Sequence, residues 1–70
     1  MTPNPKPREP HQERVLEECI ALTEKYDKLR TFIYSPAFRS VPEAERRRLH
    51  RQELIMQLYL DVLGDRIGAF

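Results

Sequence analysis

An unbroken heptad spacing of apolar residues in the first half of the chain most constrains the fold. Residues 11–34 contain neither proline nor glycine, and apolar or aromatic residues recur there in steps of four, three, four, three and four. These residues are Val15, Cys19, Leu22, Tyr26, Leu29 and Ile33. Such steps place all of them on one side of an α-helix, whereas a strand would alternate apolar and polar residues. The sequence therefore predicts a helix over residues 11–34.

A break is predicted at residues 35–40. Pro36 disfavours the helical conformation of Ser35, so the first helix should end there. Ser40 and Glu43 then have the spacing of a capping box, in which each side chain accepts a hydrogen bond from the backbone of the other residue. A second helix is therefore expected to start at about residue 41.

The second helix is predicted over residues 41–70. Its main stripe consists of Leu49, Gln52, Met56, Tyr59, Leu63, Ile67 and Phe70. Gly64 lowers the helix propensity by about 1 kcal/mol and permits a bend. Ile67 and Phe70 nevertheless continue the helical spacing of the stripe, so the helix is extended past Gly64. Because the connection is short, the two helices should lie antiparallel as a hairpin. Phe38, which is apolar in a polar loop, is expected to plug the open end of this hairpin.

Several polar and aromatic residues at the stripes and the tip have alternative interpretations. Gln52 interrupts the second stripe and is placed to bind a tyrosine hydroxyl and to fix the register of the helices. Tyr34 and Phe38, close to Arg39, either form a small aromatic and basic contact site or simply pack the loop. Loop packing is the more frequent role for such residues.

Residues 1–10 form a proline-rich segment that differs from the rest of the chain. They hold four of the six prolines and almost no apolar side chain. Proline removes backbone donors and restricts φ, so this segment is predicted to be a disordered, solvated tail. The alternative is a short arm that becomes ordered on a partner.

The second helix has more apolar surface than a hairpin can cover. Its apolar side chains spread over roughly 240°, whereas packing on one neighbour needs an arc of little more than 100°. The residues left without a partner are Leu54, Ile55, Leu58 and Val62. A chain of this size also supplies only about 3–5 kcal/mol from its own core. We therefore expect an all-α fold, an antiparallel two-helix hairpin completed by oligomerisation into a helical bundle such as a four-helix bundle. The alternative is a monomer whose spare face binds a different protein.

Arginines are concentrated at the start of the second helix. Arg39, Arg46, Arg47, Arg48 and Arg51 lie within thirteen residues that contain only two acidic ones. Such a cluster suits an anionic partner, which would be a phosphate-bearing ligand, a nucleic acid or an acidic protein surface. An equally supported alternative is a solvated face that is partly neutralised by Glu43, through Arg47, and by acidic residues of the first helix. Nucleic acid is the weaker partner, because the net charge of only +1 gives little long-range attraction.

No residue pattern indicates catalysis, a cofactor or a metal site. His11 and His50 stand alone, without a carboxylate–histidine pair at three- or four-residue spacing that is expected to point into a core. Cys19 lies in the apolar stripe, where a thiol is normally inert. We therefore expect a protein that is not an enzyme. No apolar stretch reaches the length of a membrane span, and the single cysteine is compatible with a reducing cytoplasm.

A recurring set of positions spans both predicted helices and the loop between them. It consists of Glu13-Arg14-Val15, Leu29, Phe32-Ile33, Ser35, Phe38, Pro42-Glu43, Leu49, Gln52, Met56, Tyr59, Leu63-Gly64, Arg66-Ile67 and Phe70. Through these positions, residues 11–70 resemble a family of small, uncharacterised phage and prophage proteins, some of them relatives of a crAss-like phage open reading frame. The arginine run and the proline-rich start depart from that pattern. The family has no established catalytic residues to carry over.

This resemblance implies a phage accessory protein in the host cytoplasm that acts by stoichiometric binding. Small oligomeric phage proteins often antagonise host defence, either by binding a defence protein or by sequestering an anionic nucleotide signal. The alternative function is that of a nucleic-acid-binding accessory factor that uses the basic cluster between Arg39 and Arg51.

Overall fold

The computed structural model describes residues 8–70 and consists of two long helices joined by a short one. Helix α1 spans Pro10–Ile33, a 3-10 helix spans Pro36–Ser40, and helix α2 spans Glu43–Gly68. The prediction of a disordered tail falls largely on residues 1–7, which lie outside the described residues. Neither α1 nor α2 combines the length and apolar character that a membrane-crossing helix requires.

Backbone and side-chain hydrogen bonds define both ends of α1. At its start, the Glu9 amide donates to Oε1 of Gln12 over 2.9 Å, and the Glu9 carbonyl accepts the Gln12 amide over 2.9 Å. At its end, the Ser35 hydroxyl and the Ser35 amide both donate to the Phe32 carbonyl, over 2.6 and 3.0 Å. Pro36 follows and starts the 3-10 helix, so the chain turns where the proline rule predicts.

The predicted capping box at the start of α2 is wrong. Ser40 belongs to the 3-10 helix, and Pro42 occupies the capping position without any side-chain hydrogen bond. Val41 is extended, with φ −75° and ψ 135°, because the residue before a proline is held away from the helical conformation. Helix α2 therefore starts at Glu43, two residues later than predicted.

The far end of α2 is also shorter than predicted. The helix passes through Gly64 without interruption and ends at Gly68, so Phe70 lies beyond it. The Ala69 amide donates to the carbonyls of Asp65 and Arg66, both over 3.1 Å, which satisfies part of the last turn.

The two long helices form the predicted antiparallel hairpin. Contacts between them pair early residues of α1 with late residues of α2: Tyr59 bonds to Glu18, and Arg30 Nε lies 3.7 Å from Glu53 Oε1. The buried core consists of Val15, Ile33, Phe38, Met56 and Leu63. The fold is therefore all-α.

The stripe predicted for α1 is confirmed. The stripe predicted for α2 is confirmed at Leu49, Met56, Leu63 and Ile67 and is wrong at two positions between them. Every member of the α1 stripe is buried or half-buried. On α2, Gln52 and Tyr59 are exposed, and Glu53 and Leu60 take the inward positions. The observed inward line is Leu49, Glu53, Met56, Leu60, Leu63 and Ile67. A glutamate is tolerated in this line because its carboxylate lies near Arg30 and near His50.

Phe38 closes the end of the hairpin, as predicted. Its ring is buried and meets the Phe32 ring edge-on at 5.9 Å and the His50 ring edge-on at 5.2 Å. Edge-to-face aromatic contacts at these distances add to the energy of burial. Phe38 thereby attaches the 3-10 helix to both α1 and α2.

Candidate binding surfaces

The five clustered arginines lie at one end of the hairpin, which is called the basic end here. Arg39 belongs to the 3-10 helix, and Arg46, Arg47, Arg48 and Arg51 belong to the first turns of α2. The contact between the rings of Phe38 and His50 brings these two elements together. Residues that are separate in the sequence therefore share one end of the molecule.

Two of these arginines are neutralised locally. Arg47 Nη2 lies 2.7 Å from Glu43 Oε1, and Arg48 Nε lies 2.7 Å from Glu45 Oε1. All four side chains are largely exposed, so each pair contributes only about 0–1 kcal/mol and is screened by salt. The expected pairing of Glu43 with Arg47 is confirmed, whereas the pairing of Glu45 with Arg48 was not predicted. Within residues 8–70, no acidic side chain of α1 pairs with the clustered arginines, although such neutralisation was expected.

Within residues 8–70, Arg39, Arg46 and Arg51 form no ion pair. Arg46 is half-buried, and its Nε is closed to solvent without a hydrogen-bond partner in that same part of the chain. A buried donor without a partner costs free energy, and because this nitrogen is closed to solvent it does not itself mark a ligand contact. The basic end therefore keeps a positive charge that its own glutamates do not offset.

An exposed tyrosine lies beside the basic end. The Tyr34 side chain is 72% exposed. The guanidinium carbon of Arg30 lies 5.7 Å from the centroid of the Tyr34 ring. The same guanidinium lies 5.6 Å from the Tyr26 ring, which is the geometry of a cation–π contact. A shallow depression between Tyr34 and Arg39 has a volume of about 310 Å³.

Of the two aromatic residues in the predicted aromatic and basic contact site, Tyr34 is exposed and Phe38 is not. Phe38 is buried and packs the tip, so only Tyr34 presents a ring beside Arg39. Arg30 is not among the residues predicted for this site, although it lies four residues from both Tyr26 and Tyr34, a spacing at which helical side chains meet.

The second surface is the exposed side of α2, called the apolar face here. It consists of Leu54, Ile55, Leu58 and Val62, each of which is 56% exposed. The prediction that the hairpin leaves these side chains uncovered is confirmed. A groove of about 420 Å³ runs along this face and continues past Tyr59 to Arg66.

The sequence model of the Sequestin family matches residues 9–69 of this chain. The chain belongs to the Sequestin family. The matched region includes both helices, the basic end and the apolar face, so the family pattern covers nearly everything that the structure describes. No curated protein and no solved structure matches the chain. The Sequestin match carries no link to phages, and the phage origin stays a prediction.

In this Sequestin-family chain, a contact between the two long helices raises the pKa of Tyr59. The Tyr59 hydroxyl donates to a carboxylate oxygen of Glu18. This hydrogen bond, together with desolvation and the charge of Glu18, raises the pKa of Tyr59 above 10.0, while Arg66 acts in the opposite direction. The predicted partner for such a hydroxyl was Gln52, which is instead exposed.

The residues considered for metal binding and catalysis lie apart from one another. Cys19 is half-buried in the α1 stripe, and His50 Nδ1 lies 3.9 Å from Glu53 Oε2. Among the residues from Arg8 onward, no three histidine, cysteine or acidic side chains come together as a metal site would require.

Proposed function

We propose that this chain is a non-enzymatic Sequestin-family protein that binds an anionic partner stoichiometrically at its basic end. The observation that carries the proposal is the pair Arg39 and Arg46, which form no ion pair within residues 8–70, at an end where five arginines face two glutamates. The family name, which refers to sequestering, is compatible with such binding.

The chemistry of the basic end favours a phosphate-bearing ligand, and in particular a nucleotide. Guanidinium groups bind phosphate oxygens through two parallel hydrogen bonds, which lysines cannot do. The exposed ring of Tyr34 supplies a flat apolar surface next to Arg39, on which a base could stack. An acidic protein surface would use the arginines but has no need of the ring.

In a cell, such a protein acts by lowering the free concentration of its ligand. We propose that it is a phage accessory protein of the host cytoplasm and that it antagonises a host defence by sequestering an anionic nucleotide signal. Binding to a defence protein is the other form of the same role. Both forms need as many copies of the protein as of the target, since no turnover is involved.

Isothermal titration of the full-length protein with nucleotides and with the matching nucleosides tests the proposal. Nucleotides should bind with about one ligand per chain, and nucleosides should bind at least about tenfold more weakly, because they lack the charged hydrogen bonds. The variant Arg39→Ala/Arg46→Gln should lose nucleotide binding, and Arg39→Lys/Arg46→Lys should keep part of it. Arg14→Ala is the matched control, because it removes an exposed arginine from α1 that belongs to neither the basic end nor the apolar face.

The same titration separates this proposal from the nucleic-acid alternative. A nucleic-acid factor would prefer a long strand to a mononucleotide, and its affinity would fall steeply with added salt over many phosphate contacts. Equal binding of nucleosides and nucleotides, or no nucleotide binding at low salt, would contradict the proposed function.

A further inference from the structure

Two opposite charges bracket the apolar face of α2 at equal distances. Arg51 lies seven residues before Leu58, and Asp65 lies seven residues after it. Seven residues are nearly two full helical turns, so all three lie along one line on the helix surface. Arg51 and Asp65 are both exposed, and neither is in an ion pair within residues 8–70.

We propose that the apolar face binds a second copy of the chain, with the two α2 helices antiparallel and a two-fold axis beside Leu58. In that arrangement Arg51 of each copy lies opposite Asp65 of the other, so two ion pairs form at the ends of the interface. Leu54 of each copy lies near Val62 of the other, and Leu58 meets its own equivalent. A two-fold interface must be complementary to itself, and this face has that property.

The charges also determine the direction of the helices. A parallel pair would place Arg51 beside Arg51 and Asp65 beside Asp65, and like charges facing each other across an interface oppose association. The antiparallel pair converts both repulsions into attractions. It also places Arg47 beside the carboxyl end of the partner helix, near Ala69, where the helix dipole favours a cation.

A second copy is favoured over an unrelated partner by the extent of the face. The line from Arg51 to Asp65 is about 21 Å long, or nearly four turns of helix, which suffices for a helix-to-helix seam. The hairpin buries only five large apolar side chains of its own, and four more lie exposed on α2. Covering them with an identical helix would roughly double the apolar core available to each chain.

This interface does not depend on the proposed ligand site. Arg39 belongs to the 3-10 helix, and Arg46 lies on a different side of α2 from Leu58. Arg51 therefore contributes to the proposed dimer interface and not to the proposed anion-binding site. Loss of nucleotide binding and loss of dimerisation are therefore expected from different substitutions.

Light scattering after size exclusion, over a roughly hundredfold range of concentration, tests the assembly. The native chain should have twice its 8.4 kDa mass at the upper end of the range. Arg51→Asp and Asp65→Arg should each raise the dissociation constant at least about tenfold, and the double variant should return to within about threefold of the native value. Lys28→Glu, an exposed charge reversal on α1, is the control and should change nothing.

Cysteine cross-linking tests the direction of the helices without relying on affinity. In a Cys19→Ala background, Leu58→Cys should oxidise to a covalent dimer, because position 58 meets its own equivalent at the axis. Arg51→Cys should cross-link with Asp65→Cys in a mixture and not with itself. A monomer at every concentration would overturn the proposal, and so would self-cross-linking through position 51. Circular dichroism of each variant shows whether the helices are intact.

Discussion

The hydroxyl of Tyr59 on α2 donates a hydrogen bond to the carboxylate of Glu18 on α1, and this bond joins two residues that are 41 positions apart. It crosses the middle of the hairpin on its solvent side, where Tyr59 is still partly exposed. The bond ties the rotation of α2 to that of α1, because it forms only when Tyr59 is turned toward α1 and away from the apolar face.

The raised pKa of Tyr59 gives the hairpin a predictable response to alkaline pH. Folding stabilises the protonated phenol, so this contribution is fully present below the unfolded pKa of 10.0 and is lost as the pH rises through the raised folded value. The melting temperature should therefore fall more steeply above about pH 10 in the native chain than in Tyr59→Phe.

Tyrosinate absorbance checks this assignment directly. The native chain should show a tyrosinate component that ionises above pH 10.0, and that late component should be absent in Tyr59→Phe. Tyr34→Phe is the control, because Tyr34 is the most exposed tyrosine and has no hydrogen bond to a carboxylate within residues 8–70. A late component that survives Tyr59→Phe would contradict the prediction.

Removal of the Phe38 ring should destabilise the hairpin severely. The ring is buried between Phe32 and His50 at the tip, and truncation of a buried phenylalanine typically costs about 3–5 kcal/mol. Urea denaturation should show a loss close to this range for Phe38→Ala and a smaller one for Phe38→Leu. Tyr34→Ala, at an exposed neighbouring position, should change the free energy of unfolding by less than about 0.5 kcal/mol.

Glu53→Leu should leave the hairpin as stable as the native chain or make it more stable by about 1 kcal/mol. Glu53 occupies an inward position of α2, and its side chain is only 17% exposed. Its contacts with Arg30 at 3.7 Å and His50 at 3.9 Å are long, so they repay little of the cost of burial. Thermal unfolding of Glu53→Leu and Glu53→Ala measures the difference. A loss of more than about 1 kcal/mol in Glu53→Leu would show that the ionic contacts dominate.

Gly64→Ala should stabilise α2 by about 0.5–1 kcal/mol. Gly64 lies inside a continuous helix, and a Cβ atom placed on it would have no neighbour within 4 Å. The gain comes from reduced freedom of the unfolded chain and not from a new contact. Gly68→Ala, at the last helical residue, should gain less, and urea denaturation of the two variants makes the comparison. A loss of stability in Gly64→Ala would indicate that another chain approaches the helix closely at that position.

The candidate surfaces were predictable from the sequence to different degrees. The apolar face follows from the width of the apolar arc on α2, and its four residues are indeed exposed. The pairing of Arg47 with Glu43 follows from their spacing of four residues on a helix. The inaccessible Nε of Arg46 did not follow, because the solvent access of a single atom depends on tertiary packing that residue spacing does not reveal.

The sequence by itself determined that the chain forms two helices, where the break between them lies, and that α2 has an apolar side to spare. Spacing of three and four residues is a local property, and proline acts on its own neighbours, so these features need no knowledge of the rest of the chain. Only the tertiary structure decided how α2 is rotated. Glu53 and Gln52 are adjacent polar residues in the sequence, and periodicity cannot choose between them. Packing of Phe38 on His50 and of Arg30 near Glu53 turns Glu53 inward and leaves Gln52 exposed.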